Sequence, residues 1–196
     1  MPEKTTNTAT DKAALRRTLL AHRQAIQPEV RALWNAAIGE RVLAWWNANP
    51  AQVIGVYWPI RGEPDLRDTY AALIATGAAL ALPIVTNGNA PLTFVRWRPD
   101  APMVKDAYGV MVPQDVSEIV TPDALLVPCV GFNAANYRLG YGGGFYDRTL
   151  AVSARPLAVG IAYACCRAEF TGDVHDIALD DVITEASPLE FAPVSL

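Results

Sequence analysis

The sequence predicts an α/β fold: a mainly parallel sheet with helices on both faces, three-layered and Rossmann-like, with N-terminal helices packed on the domain. Three observations lead there. Val53 to Trp58 is an apolar run of strand length ended by Pro59. A helical stretch and a second apolar run follow it so closely that the three form a βαβ unit, whose crossover is expected to be right-handed. Ala124 to Phe132 is the most apolar run, which places it at the sheet centre, buried on both faces.

Composition sets the outer limits. A chain of 196 residues with 52% hydrophobic content can bury the core of one domain. The expected division is a disordered leader over residues 1–9 and a single domain over 10–196. A net charge of −4 offers nucleic acid no broadly basic surface. Cys129, Cys165 and Cys166 form no C-x-x-C pair, and their odd number argues for a reducing compartment over a disulfide framework. Met1 to Thr10 is polar and lacks the apolar core of a signal peptide. The longest mainly apolar window, Ala71 to Val85, is broken by Thr76, Gly77 and Pro83 and falls short of the ~18 residues of a membrane span. The expectation is a soluble cytoplasmic protein with small-molecule partners, without nucleic-acid or membrane partners, and with a monomer favoured.

In chain order, Thr10 or Asp11 caps a first helix whose Leu15, Leu19 and Ile26 form an apolar stripe. Lys12 and Arg16, four apart, share one face. That face reads either as a solvated basic surface or as two cations awaiting an anion. Pro28 opens a second helix running towards Trp46, with Val30, Trp34, Ile38, Val42 and Trp45 inward. After the first strand comes the loop Arg61-Gly62-Glu63-Pro64. Asp65 then caps a helix from Leu66 to Thr76, and Gly77 stops it. Ala79 to Val85 is the next strand, interrupted or ended at Pro83. Leu92 to Trp97 alternates and reads as an antiparallel or edge strand. Residues 99–123, with four prolines, are expected to be mostly loop. Leu157 to Ala162 and Val182 to Thr184 complete the strands, ahead of a tail containing Pro188 and Pro193.

The central strand leads into Arg138-Leu139-Gly140-Tyr141-Gly142-Gly143-Gly144-Phe145-Tyr146-Asp147-Arg148, after which Tyr146 to Val152 reads as helix. Strand, glycine loop and helix aim unpaired N–H groups at an anion. Four glycines in five residues permit positive φ and close approach of a ligand to the backbone. Arg138 and Arg148 bracket the loop, and Asp147 supplies a carboxylate suited to a phosphate-bridging metal. The motif is not a P-loop, and the third glycine of a dinucleotide fingerprint would fall on Phe145. A glycine loop also serves as a plain tight turn; the flanking charges and tyrosines are what point to a polyphosphate. In open α/β sheets ligands lie outside the C-terminal ends of strands, which selects two loops, Trp58 to Glu63 and Asn133 to Asp147. Glu63 is either an exposed loop carboxylate, paired with Arg61 or Arg67, or a receptor for the N–H edge of a heterocycle. Neither His22 nor His175 has metal-ligand spacing to a partner.

The run Arg138 to Arg148, with Val127-Pro128, Gly131-Phe132 and the distal His175-Asp176-Ile177-Ala178-Leu179-Asp180, resembles the 5-formyltetrahydrofolate cyclo-ligase (5,10-methenyltetrahydrofolate synthetase) family. Lys12-Ala13-Ala14-Leu15-Arg16 and Pro59-Ile60-Arg61-Gly62-Glu63 match further elements in the same order, so the likeness spans roughly residues 12 to 185. The resemblance implies an ATP- and magnesium-dependent ring closure of 5-formyltetrahydrofolate. Lys12, Arg16 and Arg138 would bind ATP phosphates with backbone donors from Leu139 to Tyr146, and Asp147 and Asp176 would hold magnesium. Trp58 and Glu63 would line the folate site, and Phe145 and Tyr146 would sit between the substrates. Arg138, Tyr146 and Asp147 are the candidate catalytic residues. The sequence departs from the family pattern at Phe145, where tyrosine is common, and at Asn133, Cys129 and Cys166, where aspartate, glycine and glutamine are usual. Two alternatives stay open: a paralogue using the same ATP site on another formyl or amide compound, and a non-enzymatic module binding a nucleotide or sugar phosphate.

Overall fold

A computed structural model describes residues 8–186. Residues 1–7 of the expected leader and the proline-containing tail from residue 187 lie outside the described residues. The chain begins with two helices, α1 (Thr8–Ala25) and α2 (Pro28–Ala48), with Pro28 in the first turn of the second. Helix α1 thus starts ahead of Thr10. The alternating region then supplies β1 (Val53–Gly55), α3 (Arg67–Ala75), β2 (Ala79–Ile84) and β3 (Thr93–Trp97). Next come β4 (Met103–Lys105), β5 (Met111–Pro113), β6 (Ile119–Val120), β7 (Ala124–Pro128), β8 (Gly131–Phe132) and β9 (Arg138–Leu139). Helix α4 (Phe145–Leu150), β10 (Leu157–Ile161) and β11 (Asp181–Ile183) follow.

One seven-stranded sheet runs in the order β11-β10-β7-β1-β2-β3-β6. Its first five strands are parallel, and β3 is antiparallel to both its neighbours. From β1 the chain crosses through α3 to β2 on one side; from β7 it crosses through α4 to β10 on the other. Right-handed crossovers in opposite directions require the two helices to lie on opposite faces. They do. Leu73 and Tyr70 of α3 share a cluster with Ile54, Leu80, Leu126 and Val159, whereas Leu150 of α4 packs with Ala81, Leu125, Val127 and Ala158. Successive residues of one strand therefore serve different cores, as the period of two dictates. The neighbours β1 and β7 mark the place where strand order reverses, and the crevice beyond their C-terminal ends is where such sheets bind ligands.

Several local expectations change. Val30 is 37% exposed, and Trp46, not assigned inward, is 6% exposed; Ile38 and Val42 are fully buried, as the stripe predicts. Leu66 rather than Asp65 stands at the cap of α3, while the Asp65 carboxylate accepts from the Arg67 amide (3.2 Å) and pairs with its guanidinium (2.6 Å). Gly77, at φ 94°, turns the chain out of α3 as expected. Strand β2 runs through Pro83, because β1 pairs only with Ala79 to Ala81 and makes no demand on an N–H at 83. Residues 99–123 are mostly loop, as expected, but they also carry three short strands: β4 and β5 form a hairpin, and β6 edges the sheet. The hairpin turn is closed by Asp106, whose carboxylate accepts the Tyr108 and Val110 amides at 2.9 Å. The central apolar run divides because its partner changes. Cys129 still donates to Ile161 of β10 (3.0 Å), but Val130 donates to Leu139 of β9 (2.9 Å), starting the β8–β9 hairpin that delivers the glycine loop.

Candidate active site

A cleft of about 470 Å³ opens at the reversal point. It is walled by Lys12 and Arg16 of α1, Trp58 and Glu63 beyond β1, the run from Arg138 to Asp147 beyond β8, and Asp176. The sequence-selected residues thus meet in one place. Helix α1 is brought there by Leu19, 4% exposed, which packs with Val130 and Leu139.

The phosphate-like half is a set of cations around the glycine loop. Gly142 and Gly144 have φ of 95° and 66°, a backbone region that only glycine enters freely. The bareness of the loop also serves its neighbours: a Cβ on Gly140 would lie 2.4 Å from Arg138 Nη1. Arg16 Nε donates to the Gly140 carbonyl (2.8 Å), which seats its guanidinium against the loop. Arg138, 9% exposed, pairs through Nη2 with Asp147 Oδ2 (2.9 Å), and its guanidinium lies 5.3 Å over the Tyr146 ring. Its Nε is buried and bonds to no acceptor in the structure described. Such an orphaned donor costs free energy unless a ligand satisfies it. Lys12, 7% exposed, is no solvated surface cation; its ammonium pairs with Asp173 Oδ2 (2.7 Å) and Asp176 Oδ2 (2.8 Å). Burial pulls the Lys12 pKa down, but the two carboxylates outweigh it and the net shift is upward. Burial likewise raises Asp176, and its bonds from the Asp173 amide and Lys12 bring the net shift below the usual carboxylate value.

Asp147 and Asp176 share a wall, since Asp147 Oδ1 is 3.5 Å from the amide of Ile177. Among the described residues no three His, Cys, Asp or Glu side chains stand together as a ready metal cage. Magnesium typically takes one or two carboxylates and completes its shell with water and phosphate oxygens. The two aspartates fit an ion carried in with a polyphosphate, and do not fit a resident all-protein site.

The other half is apolar and centred on a buried acid. Glu63 is 4% exposed, so it is not a surface loop carboxylate, and Arg67 is engaged with Asp65. Its Oε2 accepts the Ile60 amide (2.9 Å) and its Oε1 accepts the Tyr141 hydroxyl (2.7 Å). Burial raises its pKa above the usual value, against the pull of those two bonds and of Arg23 and Arg61. Trp58 lies edge-on to Trp97 with the Arg67 guanidinium 5.4 Å over its ring, and Phe145 meets Tyr108 edge-on at 5.9 Å. A carboxylate in an apolar slot suits a flat heterocycle presenting N–H donors.

Arg148 brackets the glycine loop, as the sequence suggests, but does not line the cleft. It donates to the carbonyls of Gly88, Ala90 and Gly143 and covers the Phe145 ring, fixing the loop from behind. Sequence reasoning missed Asp173, the hairpin residues Asp106, Tyr108 and Val110 that wall the cleft, and Arg23. Arg23 lies two turns beyond Arg16 on the same helix face, which was the available signal.

Residues 8–185 match the model of the 5-formyltetrahydrofolate cyclo-ligase family. A 5-formyltetrahydrofolate cyclo-ligase of Haemophilus influenzae is 33% identical over 141 residues, covering 68% of this chain and 75% of the relative. One from Mycoplasma pneumoniae is 28% identical over 177 residues, covering 89% and 99%. A solved structure of a 5,10-methenyltetrahydrofolate synthetase from Mycoplasma pneumoniae superposes with a TM-score of 0.74 at 27% identity, covering 90% of this chain and 99% of that one.

Proposed function

The chain belongs to the 5-formyltetrahydrofolate cyclo-ligase family, and on that premise we propose that it closes 5-formyltetrahydrofolate to 5,10-methenyltetrahydrofolate with conversion of ATP to ADP and phosphate. A formamide oxygen is a poor leaving group, so it is first phosphorylated: a bond forms from that oxygen to the γ-phosphorus as the bond to ADP breaks. N10 of the folate then attacks the activated carbon and loses its proton, and the carbon–oxygen bond breaks to release phosphate. The protein's share is positioning and charge neutralisation more than proton transfer.

The residues divide that work. Amides from Leu139 to Tyr146 and the cations Lys12, Arg16 and Arg138 receive the phosphates, with the orphaned Arg138 Nε free to donate. Asp147 and Asp176 would hold magnesium, which when bound supplies charge neutralisation to the phosphates. Glu63 accepts the N–H edge of the pterin beside Trp58, and Phe145 and Tyr146 separate the two substrates. One observation carries the reading: Lys12 and Arg16, far away in sequence, line together with Arg138 and the glycine loop the cleft that also holds Glu63. The free thiols at Cys129, Cys165 and Cys166 support a reducing, cytoplasmic setting. No helix among the described residues is long and apolar enough to cross a membrane.

Isotope transfer tests the chemistry. With ¹⁸O in the formyl group, single-turnover product should carry the label in inorganic phosphate. Unlabelled phosphate released alongside methenyltetrahydrofolate would exclude phosphorylation of the formyl oxygen.

A further inference from the structure

A hydrogen-bond chain links the glycine loop to Glu63, and the mechanism above leaves it without a task. Arg23, 1% exposed, donates through Nη2 to the Tyr141 hydroxyl (2.7 Å), which lies 2.7 Å from Glu63 Oε1. The guanidinium is fixed at its other corners: Nε donates to the Arg61 carbonyl and Nη1 to the Cys129 carbonyl, each at 3.2 Å. One buried cation therefore pins the carboxylate loop, the end of the central strand and the glycine loop together.

The protons have one consistent arrangement. A guanidinium only donates, so the Tyr141 oxygen accepts from Arg23 and its own proton goes to Glu63. Glu63 Oε2 already accepts the Ile60 amide. Both oxygens act as acceptors, which suits the ionised form. An ionised carboxylate has about four lone-pair sites, so about two remain for a substrate's N–H donors. Burial works the other way, favouring the neutral acid. The cations facing Glu63 are Arg23 from α1 and Arg61 from its own loop. Tyr57, Tyr70 of α3, Tyr146 of α4 and Cys129 also face it, and burial makes each hold its proton more tightly.

We propose that Tyr141 is a positioning residue for folate recognition: its hydroxyl, seated by Arg23, keeps Glu63 ionised and aimed at the pterin. The loop that receives ATP thereby also sets the affinity for the second substrate. This rests on the folate reading above and adds to it a side chain whose backbone alone had been assigned, to the phosphates.

The test is Tyr141→Phe, which keeps the ring that Arg23 and Arg61 lie over and removes only the hydroxyl. Initial rates of the purified enzyme are measured against both substrates across pH, with Glu63→Gln and the double variant in parallel. Loss of a charge-assisted bond should raise the folate KM about tenfold and leave the ATP KM within about twofold. The acid-side midpoint of kcat/KM for folate should move to higher pH, because Glu63 loses a stabilising donor. In the Glu63→Gln background the same substitution should have little further effect on folate KM. An unchanged folate KM and midpoint in Tyr141→Phe would overturn the proposal, as would an equal loss with and without Glu63. Melting temperatures separate a folding defect from these outcomes, and Tyr141→Met, which removes the ring as well, should lose folate affinity at least as far. If the unaltered enzyme does not convert 5-formyltetrahydrofolate with ATP, the folate reading itself fails, which is a different result from a silent Tyr141→Phe.

Discussion

At Glu63 the chemistry turns on a single proton. Burial holds its pKa above the ordinary value, so as pH falls the acid form returns sooner than for a surface glutamate. A neutral Glu63 loses acceptor strength, and the folate KM should therefore rise on the acid side while the ATP KM does not follow. Glu63→Gln should mimic that state at neutral pH, raising the folate KM far more than that for ATP; equal effects on both would remove Glu63 from the folate site. Arg138 gives the opposite selectivity. Arg138→Ala removes a charge-assisted contact worth about 1.5–3 kcal/mol, so the ATP KM should rise about ten- to a hundredfold. It also strips Asp147 of its partner. Asp147→Asn should lower kcat by at least about a hundredfold in protein that still folds, with a lowered melting temperature because the buried Arg138 loses its counter-charge, and near-normal rates across a magnesium titration would count against a metal role. The Lys12 cluster makes a statement about stability. The Asp176 pKa is lowered and that of Lys12 raised, so the pair's contribution is complete between their ordinary values, about pH 4 to 10. It is lost as pH drops through the depressed Asp176 value or climbs through the raised Lys12 value. Urea melts of Lys12→Met should accordingly differ most from the parent near neutrality and converge at both extremes.

Helix α1 shows how an element can be part core and part active site. Its cations reach the cleft only because Leu19 is seated against Val130 and Leu139. A Cβ on Gly131 would come within 2.5 Å of Leu19 Cδ1, which measures how closely the helix docks. Leu19→Ala should cost about 2–5 kcal/mol in denaturant melts and raise the ATP KM as well, although Leu19 touches no proposed substrate. A stability loss with ATP kinetics intact would mean that Lys12 and Arg16 do not depend on this docking. The docking stripe could be read from Leu15 and Leu19 at helical spacing. The β4–β5 hairpin could not, because the prolines around it outweighed the Asp106 and Gly109 turn between two short apolar runs. Strand β7 was legible as the sheet centre, but its division at Cys129 was not. That division depends on Val130 pairing with Leu139, a contact that no local pattern encodes.

The whole molecule brings together what the sequence keeps apart. Alternating strands and helices announced the parallel sheet, and glycine density announced the loop. Convergence of Lys12 on Asp173 and Asp176, some 160 residues away, is a product of topology alone. The same applies to Arg23, whose spacing marked a face but not the carbonyls and hydroxyl it meets there. Arg148 was legible as a charge flanking the loop, but not as a residue whose donors three carbonyls consume. The reversal between β1 and β7 opens one crevice to both halves of the site, and on the proposed function that single cleft accepts a polyphosphate and a pterin together. The most direct test of that claim is near-ultraviolet absorbance, where methenyltetrahydrofolate absorbs and its formyl precursor does not. Mixed with 5-formyltetrahydrofolate and magnesium, the protein should give a rise that starts only when ATP is added and is matched mole for mole by ADP. A flat trace from protein shown by equilibrium dialysis to bind ATP would contradict the account.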